Sequence, residues 1–116
     1  MGLVSLKCKP KEIAEDAVRD AAYMCSRIHG DAPDVTFHGQ TDLHFPYVSS
    51  HLSYIMLELL KNSMRATVEK HGVDKMPPIR VVFAGGEENE DVSIRIHQYF
   101  IILIKYNKFL IGVCLC

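Results

Sequence analysis

Apolar residues recur at intervals of three and four in two long stretches of this chain. In the first stretch Pro10 suits the first turn of a helix and Gly30 suits its end. The second stretch predicts the longest helix, which Ser49 or Ser50 can cap and which runs to about Lys70. The apolar positions of the first helix are Ile13, Ala14, Ala17, Val18, Ala21, Met24, Cys25 and Ile28.

Between and after these helices the pattern changes to short β-type runs. The segments "DVTFH" and "LHFPYV" are separated by the polar cluster "GQTD", and Pro46 ends or edges the second strand. The segments "IRVVFA" and "VSIRI" flank "GGEENED", which predicts a hairpin. The order helix, two strands, helix, two strands predicts an α/β sandwich with a helical layer on one face of the sheet.

The bulk composition is that of an ordinary globular protein. The 116 residues are 48% hydrophobic and 23% charged, and the formal net charge is -1. This balance gives no electrostatic argument for nucleic acid, and no apolar run is long enough for a signal peptide or a membrane span. The four cysteines have no framework spacing, and Cys114-x-Cys116 lacks the second pair that a metal site needs.

One face of the second helix is polar in an unusual way. Glu58, Lys61, Asn62 and Arg65 fall on one stripe. The other stripe is predicted to pack on the sheet and leave Asn62 exposed to a groove; it comprises Leu52, Ile55, Met56, Leu59, Leu60, Ser63 and Met64. A solvated face with weak ion pairs is one interpretation. The other is a site, since an asparagine oxygen is a suitable Mg²⁺ ligand and a carboxylate one turn earlier can accept a proton.

The phrase "ELLKNSMRA" resembles the N-box helix of the mitochondrial protein kinases, the family of pyruvate dehydrogenase kinase and branched-chain ketoacid dehydrogenase kinase. Its signature Glu-Leu-x-Lys-Asn-x-x-Arg-Ala is matched by Glu58, Leu59, Lys61, Asn62, Arg65 and Ala66. The resemblance covers about residues 8–96 and fits the pyruvate branch somewhat better, on "FPYVSSHL". It implies a partial GHKL (Bergerat-type) fold with helices on one face of a mixed sheet.

The resemblance also implies roles for single residues. Asn62 would be the Mg²⁺ ligand, Glu58 the general base toward a substrate serine, and Arg65 and Ala66 part of the nucleotide wall. The implied cofactors are ATP and Mg²⁺, and the implied location is the mitochondrial matrix. The implied partners are the pyruvate dehydrogenase E1 and lipoyl-bearing E2 components and a second copy of the kinase.

The resemblance ends after Ile96. The family continues into an Asp-x-Gly-x-Gly box that contacts adenine, whereas this chain reads "HQYFIILIKYNKFLIGVCLC". We therefore expect a partial kinase domain over residues 1–96 and a non-family apolar tail over 97–116. This change favours a truncated product, an unspliced intron or a gene-model error, and the alternative is a short protein in which "YFIILI" supplies a substitute strand. Without the box and the later ATP lid, the chain is expected to be inactive or weakly active.

Two other functions remain open. One is a non-catalytic regulatory fragment that competes for kinase contacts. The other is a different GHKL ATPase such as a histidine kinase, although "KNSMRATVE" is closer to the mitochondrial family. His44, His51 and His71 do not lie in a phosphoacceptor setting.

Overall fold

The structure is a computed structural model that describes residues 4–42, 45–85, 91–96, 100–105 and 108–113, with side chains for 9–42, 50–85 and 92–96. It contains two helices, seven strands and a 3-10 turn at Val73–Lys75 within these residues. In chain order the elements are β1 (Val4–Cys8), α1 (Pro10–His29), β2 (Val35–Gly39), β3 (Phe45–Val48), α2 (Ser49–His71), β4 (Ile79–Gly85), β5 (Asp91–Ile96), β6 (Phe100–Lys105) and β7 (Lys108–Val113).

The two helices end where the sequence predicts. Pro10 is the first residue of α1, and Gly30 caps its end with a φ of 94° while its N–H donates to the Ser26 carbonyl at 2.8 Å. Gly72 follows α2 with a φ of 80°, and its N–H donates to the Val68 carbonyl at 2.8 Å. Both glycines have a positive φ that other residues rarely take, so each helix stops at a defined residue.

The strands form one five-stranded sheet and one two-stranded sheet. The order in the larger sheet is β2-β4-β5-β6-β7, with β2 parallel to β4 and every other pair antiparallel. The predicted hairpin is confirmed as β4 and β5. The two strands predicted before α2 belong to different sheets, because β2 pairs with β4 whereas β3 pairs with β1.

Both helices cover the same face of the larger sheet. Along β4, Ile79, Val81 and Phe83 are buried and alternate with exposed or half-buried residues. These side chains join one core, whose other members are Ala14, Ala17, Ala21, Cys25, Leu52, Met56, Leu59, Leu60, Met64, Val68, Val92, Ile94 and Ile96. The predicted α/β architecture, with a helical layer on one face of a mixed sheet, is therefore confirmed, and it is consistent with a partial GHKL-type fold.

Several local expectations need correction. The strand β1 is absent from the sequence prediction, and a five-residue run before Pro10 is too short to reveal its pairing with β3. Ile55 is half-buried rather than buried. Met24 and Ile28, which belong to the apolar positions of the first helix, are 39% and 75% exposed, because no described element covers that side of α1.

The segment after Ile96 continues the sheet. The strand β6 includes most of "YFIILI" and pairs with β5 from Ile96↔Phe100 to Asp91↔Lys105, and β7 pairs with β6. The boundary between a kinase part at 1–96 and a foreign tail at 97–116 remains a prediction. In the part of the chain that the structure describes, neither helix combines the length and the apolar character needed to cross a membrane.

The turn after β2 depends on Gly39. Its φ is 82°, and a Cβ placed there would overlap the carbonyl oxygen of Phe83 in the adjacent strand. That same oxygen accepts the Gln40 N–H at 2.8 Å. The backbone of β2 therefore approaches β4 too closely for any side chain at this position.

Replacing Gly39 with alanine should lower the free energy of unfolding by more than about 2 kcal/mol, since left-handed strain adds to a backbone clash. Gly30→Ala is the matched control, because its φ of 94° imposes similar strain but no atom lies within 4 Å of the added Cβ. Urea unfolding of both variants measures the difference. Equal losses would show that the close approach to Phe83 is absent.

The buried face of α2 contains the hydroxyl group of Ser63. Ser63 is completely buried, and its Oγ has no hydrogen-bond partner among the described residues. The backbone carbonyl of Ser63 accepts a hydrogen bond from Thr67 Oγ1 at 2.8 Å. A buried hydroxyl without a partner loses its bonds to water and gains none in return.

We expect Ser63→Ala to raise the free energy of unfolding by about 1–2 kcal/mol, because it removes an unsatisfied hydroxyl and creates little empty space. Ser53→Ala, at an exposed position of the same helix, measures the gain in helix propensity alone, which is at most about 0.5 kcal/mol. Urea unfolding compares the two variants. A Ser63→Ala variant less stable than the original chain would show that the hydroxyl has a partner.

Candidate functional site

The outward face of α2 holds the four polar residues singled out in the sequence. Asn62 and Arg65 are exposed, while Glu58 and Lys61 are half-exposed. Lys61 Nζ lies 3.0 Å from Glu58 Oε2, one turn away. This ammonium holds the Glu58 carboxylate on the outward face, although such an exposed pair contributes little to stability.

These residues fall on two neighbouring rows of the helix. Glu58, Asn62 and Ala66 are separated by four residues each, so they lie above one another along one row. Lys61 and Arg65 form the adjacent row, where Arg65 Nε lies 4.0 Å from Glu69 Oε2. Asn62 therefore has a carboxylate one turn before it and a small, half-buried alanine one turn after it.

An open groove of about 250 Å³ lies between α1 and α2 beside this face. Asn62 lines it, as the exposed position of this residue in the sequence pattern predicts. The residues that line the groove are Ala21, Met24, Cys25, Ile28, His29, Lys61, Asn62 and Arg65. Of the predicted site residues, the groove thus contains Asn62 and Arg65, whereas Glu58 and Ala66 do not line it.

Sequence reasoning missed the contribution of α1 to this groove. Its apolar spacing assigns Ala21, Met24, Cys25 and Ile28 to the core, and nothing in that spacing distinguishes a core position from a groove wall. Cys25 is 7% exposed and its Sγ donates to the Asp31 carbonyl oxygen at 3.4 Å. Burial, with a smaller effect from the Asp31 carboxylate, raises the pKa of the Cys25 thiol, so the thiol stays protonated at neutral pH.

The donor set on α2 suits a cation that is already bound to phosphate. Among the described residues no group of three or more His, Cys, Asp or Glu side chains could hold a metal ion. Asn62 offers one neutral oxygen with Glu58 nearby, and Mg²⁺ commonly takes one or two protein oxygens together with water and substrate phosphates. Cys114 and Cys116, and His97 to Tyr99 at the expected adenine box, lie outside the described residues.

Comparison with known proteins identifies relatives for most of the chain. The mitochondrial pyruvate dehydrogenase (acetyl-transferring) kinases of Arabidopsis thaliana and Schizosaccharomyces pombe are each 41% identical to it, over 99 and 100 residues. The corresponding kinase of Drosophila melanogaster is 31% identical over 106 residues. Each match covers 83% of this chain but only 26%, 23% and 25% of the relative.

No model of a known protein family matches the chain. The chain spans about a quarter of the length of the curated relatives that it matches. The relatives are nevertheless 31–41% identical to this chain over 83% of its length, which is enough to establish common family membership. The chain belongs to the family of the mitochondrial pyruvate dehydrogenase kinases.

Proposed function

We propose that this chain carries the N-box half of a protein-serine kinase that uses Mg-ATP to phosphorylate a subunit of a mitochondrial ketoacid dehydrogenase. The observation that carries the proposal is the exposed Asn62 one helical turn after Glu58, on a helix whose opposite face is buried. The kinship with pyruvate dehydrogenase kinases supports it. The chain matches about a quarter of the length of these kinases, so the proposal concerns only the part of the kinase that it matches.

Each polar residue on the outward face of α2, together with Ala66, has a distinct role in this proposal. The Asn62 side-chain oxygen would hold Mg²⁺, and the ion would supply positive charge that neutralises the nucleotide phosphates. Glu58 accepts the proton of the attacking serine hydroxyl, and Lys61, 3.0 Å away, orients its carboxylate. The small Ala66 leaves room beside Asn62 for a flat nucleotide group. Arg65, on the neighbouring row, meets phosphate oxygens.

This chain alone should have weak activity or none. Phosphoryl transfer depends on positioning and on charge stabilisation by several groups at once, so half a site loses most of the rate. Only α2 contributes the proposed nucleotide contacts in the described residues. Adenine specificity requires buried hydrogen bonds, and the sequence after Ile96 offers no aspartate or glycine pair at the expected place.

The partner and the location follow from the same kinship. The relatives are named as mitochondrial kinases of pyruvate dehydrogenase, so we propose a mitochondrial protein, in the matrix, that meets the E1 and lipoyl-bearing E2 components and pairs with a second kinase copy. The named relatives favour this function over a histidine kinase. A non-catalytic fragment with the same partners remains the alternative, and co-purification with a full-length kinase that persists in Asn62→Ala would support it.

We expect Mg-ATP to bind with a dissociation constant weaker than about 1 mM, or about -4 kcal/mol, since too few contacts remain to offset the freedom lost on association. Nuclear magnetic resonance titration of the soluble chain should show Mg²⁺-dependent shifts at Asn62 and Ala66. These shifts should disappear in Asn62→Ala. The exposed Lys70→Ala variant of the same helix should keep them.

Two outcomes would contradict these expectations. Shifts that are identical in the original chain and in Asn62→Ala would remove Asn62 from nucleotide binding. Micromolar binding by calorimetry that is lost in Asn62→Ala would show that the segment after Ile96 rebuilds a complete site. A phosphate-transfer assay on the dehydrogenase subunit should give the same background for the original chain and for Asn62→Ala.

A further inference from the structure

The α1–α2 groove has a chemistry that the proposed nucleotide contacts do not explain. Glu58 and Ala66, which flank Asn62 on its row, do not line the groove, and most of its wall comes from α1. Its volume of about 250 Å³ is just below the range of typical small-molecule pockets, which begins at about 300 Å³. A ligand that fits it would therefore be small.

The α1 side of the groove is mainly apolar and partly open to water, with His29 as its one polar lining residue. Ala21 and Cys25 form a buried floor, and Met24 and Ile28 stand above it, 39% and 75% exposed. Met24 and Ile28 are four residues apart and so lie on one side of α1. A hydrocarbon chain laid along them would remove apolar surface from water, and the flexible Met24 thioether can adapt to its shape.

The α2 side of the groove is cationic. Lys61 and Arg65 line it, and no carboxylate is among the lining residues. Glu69 lies 4.0 Å from Arg65 Nε, which is too long for a hydrogen bond, so the guanidinium retains donors for another anion. Arginine pairs with a carboxylate through two parallel hydrogen bonds, and Asn62 can donate a further one.

We propose that this groove binds a medium-chain aliphatic monocarboxylate. The carboxylate is held between Lys61 and Arg65, and the unbranched tail lies against Met24 and Ile28. A ligand with a single negative charge matches the two rim cations, because one of them, Lys61, is already paired with Glu58 at 3.0 Å. The groove shares Asn62 and Arg65 with the proposed nucleotide contacts, but the tail contacts α1, which contributes none of those contacts.

Octanoate is the probe, and nuclear magnetic resonance titration of the 116-residue chain, below the octanoate micelle concentration, is the test. Saturable shifts are expected at residues 21–29 and 61–65. Octanamide has the tail without the charge, and acetate has the charge without the tail. Each should bind at least about tenfold more weakly than octanoate, since one half of the site is then unused.

Three variants distinguish binding in this groove from nonspecific hydrophobic binding. Ile28→Glu places a negative charge in the tail region and should weaken octanoate binding at least about tenfold. Tyr23→Glu makes the same chemical change at a 64% exposed residue of α1 that does not line the groove, and it should leave binding unchanged. Arg65→Gln should weaken octanoate binding and leave octanamide binding as it is.

The proposal is overturned if octanoate causes no saturable shifts, if octanamide binds as tightly, or if Tyr23→Glu weakens binding as much as Ile28→Glu. Spectra of each variant without ligand show whether it is folded. Mg-ATP titration of Ile28→Glu should match the original chain, so a failure of this proposal and a failure at Asn62 give different results.

Discussion

The packing of α2 against α1 and against the sheet is the interaction on which the other features depend. Leu52, Met56, Leu60 and Met64 are all fully buried and are spaced at four-residue steps along one side of the helix. Burial of a Leu or Met side chain contributes about 1.5–3 kcal/mol each, so this face fixes the rotation of α2 about its axis. That rotation determines which side chains of the opposite face meet water.

The buried face of α2 therefore fixes the geometry of the polar face on the opposite side of the helix. Because α2 cannot turn without exposing its core residues, Glu58, Asn62 and Ala66 are held in one row with little freedom. The groove lies where α1 packs against α2, and the buried residues of α1 include the small Ala14, Ala17 and Ala21. At Met24 and Ile28 the larger side chains are not covered by a described element, and the surface opens.

Much of this arrangement could be predicted from the sequence because helix periodicity and glycine stops are local signals. The ends of both helices, the β4–β5 hairpin and the exposed position of Asn62 all follow from spacing and turn chemistry. The pairing partners of β1 and β2 could not be predicted in this way, because hydrogen bonds between strands distant in sequence leave no mark on local spacing. The groove wall on α1 was missed for a related reason: a periodic pattern shows that a position is apolar and cannot show whether another element covers it.

The parallel pairing of β2 with β4 has a consequence for the order of folding. Parallel neighbours require a crossover connection, and here that connection includes β3 and all of α2. The Gly85 N–H, at the end of β4, donates a hydrogen bond to the side chain of Gln40, just after β2, although the two residues are 45 positions apart in sequence. Closing so long a loop before contacts form is entropically unfavourable, which slows folding. During synthesis on the ribosome, β2 cannot pair until both α2 and β4 have been made. In that interval its unpaired backbone groups are exposed to other chains.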